Sequence, residues 1–381
     1  MKIYDLKTEY LHHPESVDAL HPRLSWKIAS DKTNVKQDSY RVIAASDGEV
    51  IWDSGTVHDD ECRFIRYEGT ELKSRQEVSW HVEVTASCEG EEGRITESAV
   101  SETAGFKMGL LSESDWAARW ITEEAGPDKE ARKPAAYFRR AFYVKPGLKA
   151  ARIYQTAHGL YESFINGQPT DEDQFKPGLT SYYYRIQYQT YDITSLLCEG
   201  ENVLGVVVAD GWWRGSTGGS VKNNFGYTLD YLGQIELTYA DGSVETIGSD
   251  DSFKVGSGQL LASDMLMGDI VDPSLEPDGW KMPGFDDSSW KKPYYTEEVS
   301  DDRLLAGLKA EKIASRSVPV RQMEKFPGKA FKDHNGDLVV DFGQNIAGCV
   351  KMTLRNTRPG QRIVVTHGRR WTMKATLPLP T

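Results

Sequence analysis

Short runs of β-branched and aromatic residues alternate with turn residues along most of this 381-residue chain. Between residues 158 and 215, the runs YRIQYQTYDI and VLGVVVA are set off by the segments FINGQP and EGENVL. Asn and Gly tolerate positive φ, so these two segments predict reversals of the chain. No segment carries a sustained apolar repeat of helical period over three turns. The pattern therefore predicts an all-β protein.

Length, charge and cysteine spacing limit the class of protein. The chain is longer than one ordinary β-sandwich, so several domains are expected. The net charge is −12, and no Lys/Arg cluster compensates for it. The chain is therefore expected not to bind nucleic acid or a membrane surface. The start, MKIYDLKTEYLHHPESVD, lacks the apolar core of a signal peptide, which predicts a cytoplasmic protein. The four cysteines show no CxxC spacing, so we expect them to be reduced thiols. They are Cys62, Cys88, Cys198 and Cys349.

The strand-like runs fall into three groups. Residues 1–110 contain HPRLSWKI, SYRVIAAS and VSWHVEVTAS, with the rhythm of a small β-sandwich. In residues 112–305, Asp241-Gly242 lies between two alternating runs and predicts a hairpin. Residues 315–381 contain DLVVDFGQNIAGCVKMTLRN and GQRIVVTHG. The expected organisation is therefore three β-domains.

Five short motifs follow one another along the chain: HPRLSW, WDSG, GWWRG, DDSSW and DFGQNIAG. In this order they resemble the N-terminal region of bacterial α-L-rhamnosidases, and the resemblance covers essentially residues 5–368. It implies a fibronectin type III-like sandwich at 1–110 and a galactose-binding-like jelly-roll at 112–305. It also implies the start of a third β-sandwich domain at 315–381.

In that family the catalytic groups come from a barrel of six paired α-helices, which would have to follow residue 381. The resemblance thus implies the N-terminal fragment of an inverting glycosidase that releases terminal L-rhamnose from glycans or glycosides. Inversion needs two carboxyl groups about 6.5–9.5 Å apart. No such pair is identified in the sequence. This chain alone is therefore predicted to be inactive and to serve domain docking and weak carbohydrate binding.

Two alternatives stay open. The chain could be a free-standing carbohydrate-binding module, which would need an exposed aromatic platform and a closed third domain. It could also be a structural fragment without a ligand, which would leave a large apolar face open. No pattern in the sequence specifies an oligomeric state.

The loop ADGWWRG, residues 209–215, is the best candidate for a ligand contact. Trp212 and Trp213 on extended backbone would point to opposite faces, so at least one is expected to be exposed or to cover a neighbouring domain. An aromatic ring can stack on the C–H face of a sugar, while Asp210 and Arg214 could hydrogen-bond hydroxyl groups. Packing against another domain is the alternative role for this loop.

A stripe of tyrosines precedes that loop in TSYYYRIQYQTYDIT. The spacing of Tyr182, Tyr184 and Tyr188 predicts a strand with one aromatic face, for which core or rim packing is the default. Tyr182 is also included among the carbohydrate-binding candidates.

Calcium is a weaker expectation, because some jelly-rolls of the family bind L-rhamnose through a calcium ion. Such a site needs several oxygen ligands. The acidic run DEDQ close to Asn166 is the nearby supply, and the candidate ligands are Asn166, Asp171 and Asp173. No motif for another cofactor is present.

The end of the chain departs from the family pattern from about residue 369. The resemblance implies an acidic segment of the type MDDEGNFTFTN, whereas residues 371–381 read WTMKATLPLPT. One choice of codons for these residues yields that acidic segment when read from one base earlier. We therefore expect a single-base frameshift near residues 368–370 and a poorly packed tail.

Overall fold

A computed structural model describes residues 1–90, 93–124, 132–217, 222–298, 307–358 and 360–367. The chain forms two units, Met1–Val320 and Arg321–Thr381. Strands dominate, which confirms the all-β prediction, and short 3-10 helices lie at Glu113–Asp115, Thr194–Leu196, Pro273–Leu275 and Thr296–Glu298. Within the described ranges, no helix has both the length and the apolar character needed to cross a bilayer.

The first sandwich consists of two sheets around one core. Its strands are β1 (Lys2–Thr8), β2 (Arg23–Ala29), β3 (Lys36–Ser46), β4 (Glu49–Asp53), β5 (Ile65–Arg66), β6 (Glu77–Gly90), β7 (Gly93–Val100) and β8 (Ala104–Lys107). One sheet has the order β1-β2-β5, and the other has the order β4-β3-β6-β7 with β8 paired to β6. In the core, the indole N–H groups of Trp26 and Trp80 donate to Gln37 and Thr8. These large rings are therefore buried with their polar atoms satisfied.

The second sandwich holds a larger core. Its strands are β9 (Ile121–Thr122), β10 (Ala136–Val144), β11 (Leu148–His158), β12 (Leu160–Ile165), β13 (Gln168–Pro169), β14 (Arg185–Asp192), β15 (Gly200–Ala209), β16 (Asp230–Tyr239), β17 (Val244–Gly248), β18 (Lys254–Gly256), β19 (Leu260–Ala262), β20 (Ile270–Val271), β21 (Tyr294–Tyr295) and β22 (Glu311–Ala314). One sheet has the order β13-β12-β15-β10-β18. The other has the order β21-β9-β16-β11-β14-β22, with β17 paired to β16. Phe138, Val206 and Ile235 belong to the core of this sandwich.

Turn residues place the reversals where the sequence predicts them. Asp241 and Gly242 connect β16 to the antiparallel strand β17, and Gly242 has a φ of 85°. The Asp241 carboxylate accepts from the Ser243 N–H at 2.9 Å, which fixes the turn. Asn166 and Gly167 connect β12 to β13 with φ values of 50° and 79°. The predicted hairpin at residues 241–242 is therefore confirmed.

Polar contacts join the two sandwiches within Met1–Val320. Arg75 of the first sandwich donates to Glu236 of the second at 2.7 Å and to Asp115 at 2.8 Å. Burial alone would raise the pKa of Asp115, but hydrogen bonds from Ser74 and Arg75 outweigh it and hold this pKa below its usual value. The charged network therefore joins the first sandwich to strand β16 of the second.

The described residues of the unit Arg321–Thr381 are much less packed. Its strands β23 (Lys329–Lys332) and β24 (Leu338–Asp341) form an antiparallel hairpin. None of its described residues is buried, and several large apolar side chains are exposed: Met323, Leu338, Val340, Met352, Leu354 and Val364. A two-stranded hairpin without a packed face has little stability of its own. The predicted poorly packed tail lies outside the described residues.

Candidate functional site

The GWWRG motif forms a tight turn directly after β15. The Arg214 N–H donates to the Asp210 carbonyl at 3.1 Å, which closes the turn. Gly211 has a φ of 52°, and a Cβ there would lie 2.6 Å from Leu160 Cγ and 2.9 Å from Leu160 N. Glycine is required at this position because the backbone of β12 approaches so closely. The two tryptophans therefore lie on turn backbone, and their rings enter different surroundings.

Trp213 is fully buried in a stack of three rings. Its indole lies parallel to the His158 imidazole, with 3.9 Å between the ring centroids and 7° between the planes. The opposite face of His158 stacks on Trp120 at 4.1 Å and 6°. The Trp213 indole N–H donates to the Thr228 carbonyl at 3.0 Å. The ring faces of Trp213 are therefore covered by protein.

The imidazole in this stack is bound by a buried carboxylate. His158 Nδ1 lies 2.6 Å from Asp230 Oδ2, and both side chains are inaccessible to solvent. The other Asp230 oxygen accepts from the Thr228 and Thr296 hydroxyls, each at 3.2 Å. His158 Nε2 has no hydrogen-bond partner among the described residues. Residues from four separate segments thus converge beneath the loop.

Arg214 is buried and engaged in the protein's own polar contacts. Its Nε donates to Asp210 at 2.7 Å, and Nη1 donates to Glu123 at 2.8 Å. Its Nη2 donates to the Pro134 carbonyl at 2.8 Å. Burial raises the pKa of Glu123 and of Asp210, and the guanidinium of Arg214 opposes that rise. Asp210 and Arg214 therefore bind each other here.

Trp212 differs from its neighbour because its ring remains partly exposed. It lies beside Phe175, with ring centroids 6.4 Å apart and the planes inclined at 51°. Phe175 is 47% exposed. We call this pair the aromatic surface. Of the consecutive tryptophans, Trp212 is the one whose ring solvent can reach.

The tyrosine stripe is divided between the core and the solvent. Tyr182 is buried, packs edge-on against Trp213 at 5.5 Å, and donates its hydroxyl to the Gly178 carbonyl. Tyr188 is also buried. Tyr184 is 77% exposed, so the prediction of one aromatic face is wrong at this residue. The cause is a turn, because β14 begins only at Arg185 and the Tyr184 N–H donates to the Ser181 carbonyl.

The calcium candidates are bound to protein groups. Lys176 Nζ lies 2.7 and 2.6 Å from the two carboxylate oxygens of Asp171, and both side chains are buried. Asp173 accepts from the Tyr191 hydroxyl at 2.9 Å, and the side chain of Asn166 accepts from Val203 N–H at 2.9 Å. Within the described ranges, no three His, Cys, Asp or Glu residues are placed to hold a metal ion. Both carboxylate oxygens of Asp171 are therefore paired with an ammonium group.

The aspartates of the DDSSW motif have structural roles. Asp287 binds the guanidinium of Arg139, which is buried and also donates to the Trp280 carbonyl at 2.9 Å. Asp286 accepts from the Ser288 N–H at 3.0 Å and closes a turn. The motif therefore holds the loop before Trp290 against β10.

Sequence reasoning missed the residues that bury the loop: Trp120, His158, Asp230 and Glu123. One signal was available at His158-Gly159, which follows the apolar strand β11. Gly159 has a φ of 132°, and a Cβ there would lie 2.4 Å from the Ala209 carbonyl oxygen. Such a glycine marks a close approach of two backbones. The identity of the stacking partners depends on distant segments and has no local signal.

Two family models match the chain. Residues 3–112 match the model described as the Rha78A-like N-terminal immunoglobulin domain. Residues 147–324 match the model described as the α-L-rhamnosidase N-terminal domain. The second match includes the GWWRG loop, the aromatic surface and the DDSSW motif.

Individual relatives agree with these matches. An α-L-rhamnosidase of Alteromonas sp. (strain LOR) is 32% identical over 348 residues, which cover 87% of this chain and 36% of the relative. The chain in the crystal structure of an α-L-rhamnosidase from Aspergillus terreus is 28% identical, with a TM-score of 0.78. The chain in a solved structure of an α-L-rhamnosidase from Dictyoglumus thermophilum is 29% identical, with a TM-score of 0.74. Each comparison covers 91% of this chain and 39% of the solved one.

The chain belongs to the α-L-rhamnosidase family, through the N-terminal domains of that family. It spans between a third and two fifths of the length of the three relatives described above.

Proposed function

We propose that this chain forms non-catalytic N-terminal domains of an α-L-rhamnosidase, a glycosidase that acts on terminal L-rhamnose. The relatives are named for that activity. The observation that carries the non-catalytic role is that three carboxylates at or near the motifs of the second sandwich are engaged in structural contacts. Asp171 binds Lys176, Asp210 binds Arg214, and Asp287 binds Arg139.

The chemistry of inversion explains why these contacts matter. One carboxyl group must hold a proton for the leaving oxygen, and the other must be free to activate water. A carboxylate bound to a buried cation is already engaged by that cation and is shielded from a substrate. Glu123 and Asp210 have raised pKa values, but both are bound to Arg214 in a buried cluster. None of these groups is suited to the acid or the base role.

Hydrolysis of an aryl α-L-rhamnoside tests this role. The purified 381-residue chain should release no aryl group above the buffer blank, whereas the Alteromonas relative serves as the active control. Turnover that persists through purification and disappears in Asp171→Asn, Asp210→Asn or Asp287→Asn would contradict the proposal.

Weak carbohydrate binding at the aromatic surface is a second candidate function. Trp212 is partly exposed beside the exposed ring of Phe175, and aromatic rings favour the apolar face of a sugar. One stacked monosaccharide buries few atoms, so affinity on the order of millimolar to micromolar is expected. L-rhamnose is the proposed ligand because of the family to which the chain belongs.

Tryptophan fluorescence during L-rhamnose titration tests this binding, with and without calcium. The response should be lost in Trp212→Ala and retained in Trp52→Ala, a control that removes a partly buried indole of the first sandwich. Because Asp171 is bound to Lys176, calcium should not change the response. No response at rhamnose on the order of tens of millimolar would rule out sugar binding here.

A further inference from the structure

A hairpin next to the GWWRG loop exposes consecutive apolar residues. Strands β19 and β20 pair antiparallel, and we call residues 260–271 the methionine hairpin. The turn of this hairpin exposes Met265, Leu266 and Met267 by 39, 62 and 65%. Ile270 and Val271 on the returning strand are 49 and 50% exposed. Runs of exposed apolar residues are disfavoured at a surface unless they serve a function.

The conformation of this turn is fixed by Asp264. One carboxylate oxygen accepts from the N–H groups of Leu266 (2.8 Å) and Met267 (2.9 Å). The other carboxylate oxygen accepts from the Ser216 N–H at 2.8 Å. Ser216 is the residue directly after the GWWRG motif. Burial alone would raise the pKa of Asp264, but these backbone donors outweigh it and lower that pKa. The apolar side chains are therefore held outward by an ordered turn.

Charge and composition limit what could cover the hairpin. Residues 264–278 contain five acidic residues and no Lys or Arg: Asp264, Asp269, Asp272, Glu276 and Asp278. Like charge disfavours nucleic acid and anionic membranes, and it also disfavours a second copy of a chain with a net charge of −12. The same stretch contains no aromatic residue, so it offers no ring on which a sugar could stack. A protein surface with basic residues is the complementary partner.

We propose that the methionine hairpin is a docking surface for a folded protein domain whose apolar contact is surrounded by Lys and Arg. Methionine side chains adapt readily to a partner's shape, which suits them to such a contact. The inference rests on the proposed function and deepens it. Docking is assigned to the methionine hairpin, whereas sugar contact is assigned to the aromatic surface.

Two synthetic peptides probe this chemistry by fluorescence anisotropy. One is an amphipathic Leu/Lys helix, and the other has Glu in place of every Lys. The wild-type chain should bind the Lys peptide and not the Glu peptide. The combined variant Met265→Gln, Leu266→Gln, Met267→Gln should weaken binding by at least about tenfold. This variant keeps every charge and every backbone contact of Asp264. Weaker peptide binding by the variant would therefore report the loss of the apolar contact.

A matched control removes apolar surface elsewhere. Val50 and Val244 are 63 and 60% exposed, and Val50→Thr with Val244→Thr should bind the Lys peptide as tightly as the wild type. The proposal would be overturned if the triple variant bound unchanged, if the Glu peptide bound equally, or if neither peptide bound. Failure of the proposed function is seen separately, as rhamnoside turnover by the wild-type chain.

Discussion

Val206 and Val340 occupy strands in the two units of this protein, yet their surroundings are opposite. Val206 in β15 is fully buried between the sheets of the second sandwich. Val340 in β24 is 47% exposed, and no described residue of its unit is buried. A strand-forming sequence is therefore not enough to make a core, because a sheet also needs a second layer to cover its apolar face.

The same difference indicates which unit contributes most of the free energy of unfolding. Met1–Val320 contains two sandwich cores, buried indoles with satisfied N–H groups, and a charged network between the sandwiches. Arg321–Thr381 has a single described hairpin with exposed apolar residues. We expect substitutions in the first unit to change the free energy of unfolding and equivalent substitutions in the second to change it little.

The largest expected effect is at the buried ring of the GWWRG loop. Trp213→Ala should lower the free energy of unfolding by about 3–5 kcal/mol, because it leaves a cavity beside His158. Urea denaturation followed by far-UV circular dichroism measures this loss. Trp212→Ala is the matched control and should cost much less, since its ring is already partly hydrated. Equal losses would contradict the assignment of the two rings.

The two valines compare the units directly. Val206→Ala should cost about 2 kcal/mol of unfolding free energy, because two buried methyl groups lose their contacts. Val340→Ala should stay within about 0.5 kcal/mol, as for other surface changes. Thermal denaturation of both variants checks the prediction. A loss at Val340 as large as that at Val206 would mean that the second unit has a core.

The sequence predicts those features that depend on residues close together in the chain, and it fails for features that depend on residues far apart in the chain. Asp241-Gly242 and Asn166-Gly167 determine their own turns, so the hairpins and the all-β class follow from local chemistry. The burial of Trp213 depends on Trp120 and His158, which are distant in sequence. No local pattern specifies that stack.

The tyrosine stripe shows the same limit at shorter range. An alternating pattern predicts one face only where the backbone is extended. The turn at residues 181–184 breaks the alternation, so Tyr184 is exposed although Tyr182 and Tyr188 are buried. The paired charges were also inaccessible to sequence reasoning, because Lys176 and Arg214 neutralise carboxylates that otherwise resemble ligands.

A smaller effect is expected at the contact between the sandwiches. Asp115→Asn should cost about 1 kcal/mol at pH 7, because Arg75 loses a charged acceptor that water partly reaches. The pKa of Asp115 is lowered from 3.8 in the folded state. Its contribution is therefore complete above the unfolded pKa and is lost as pH falls through the folded pKa. Urea denaturation at several pH values should show the variant and wild type converging below pH 3.8. A constant difference at all pH values would contradict this role.

Amide hydrogen exchange measured by mass spectrometry on the full chain tests the central claim most directly. The claim is that Met1–Val320 is a folded unit with its own cores, whereas the described residues of Arg321–Thr381 form no core. Peptides covering β15 and β16 should exchange only through global unfolding of their unit, whereas those covering β23 and β24 should exchange through frequent local opening. Protection of β23 and β24 as strong as that of β15 and β16 would contradict the account.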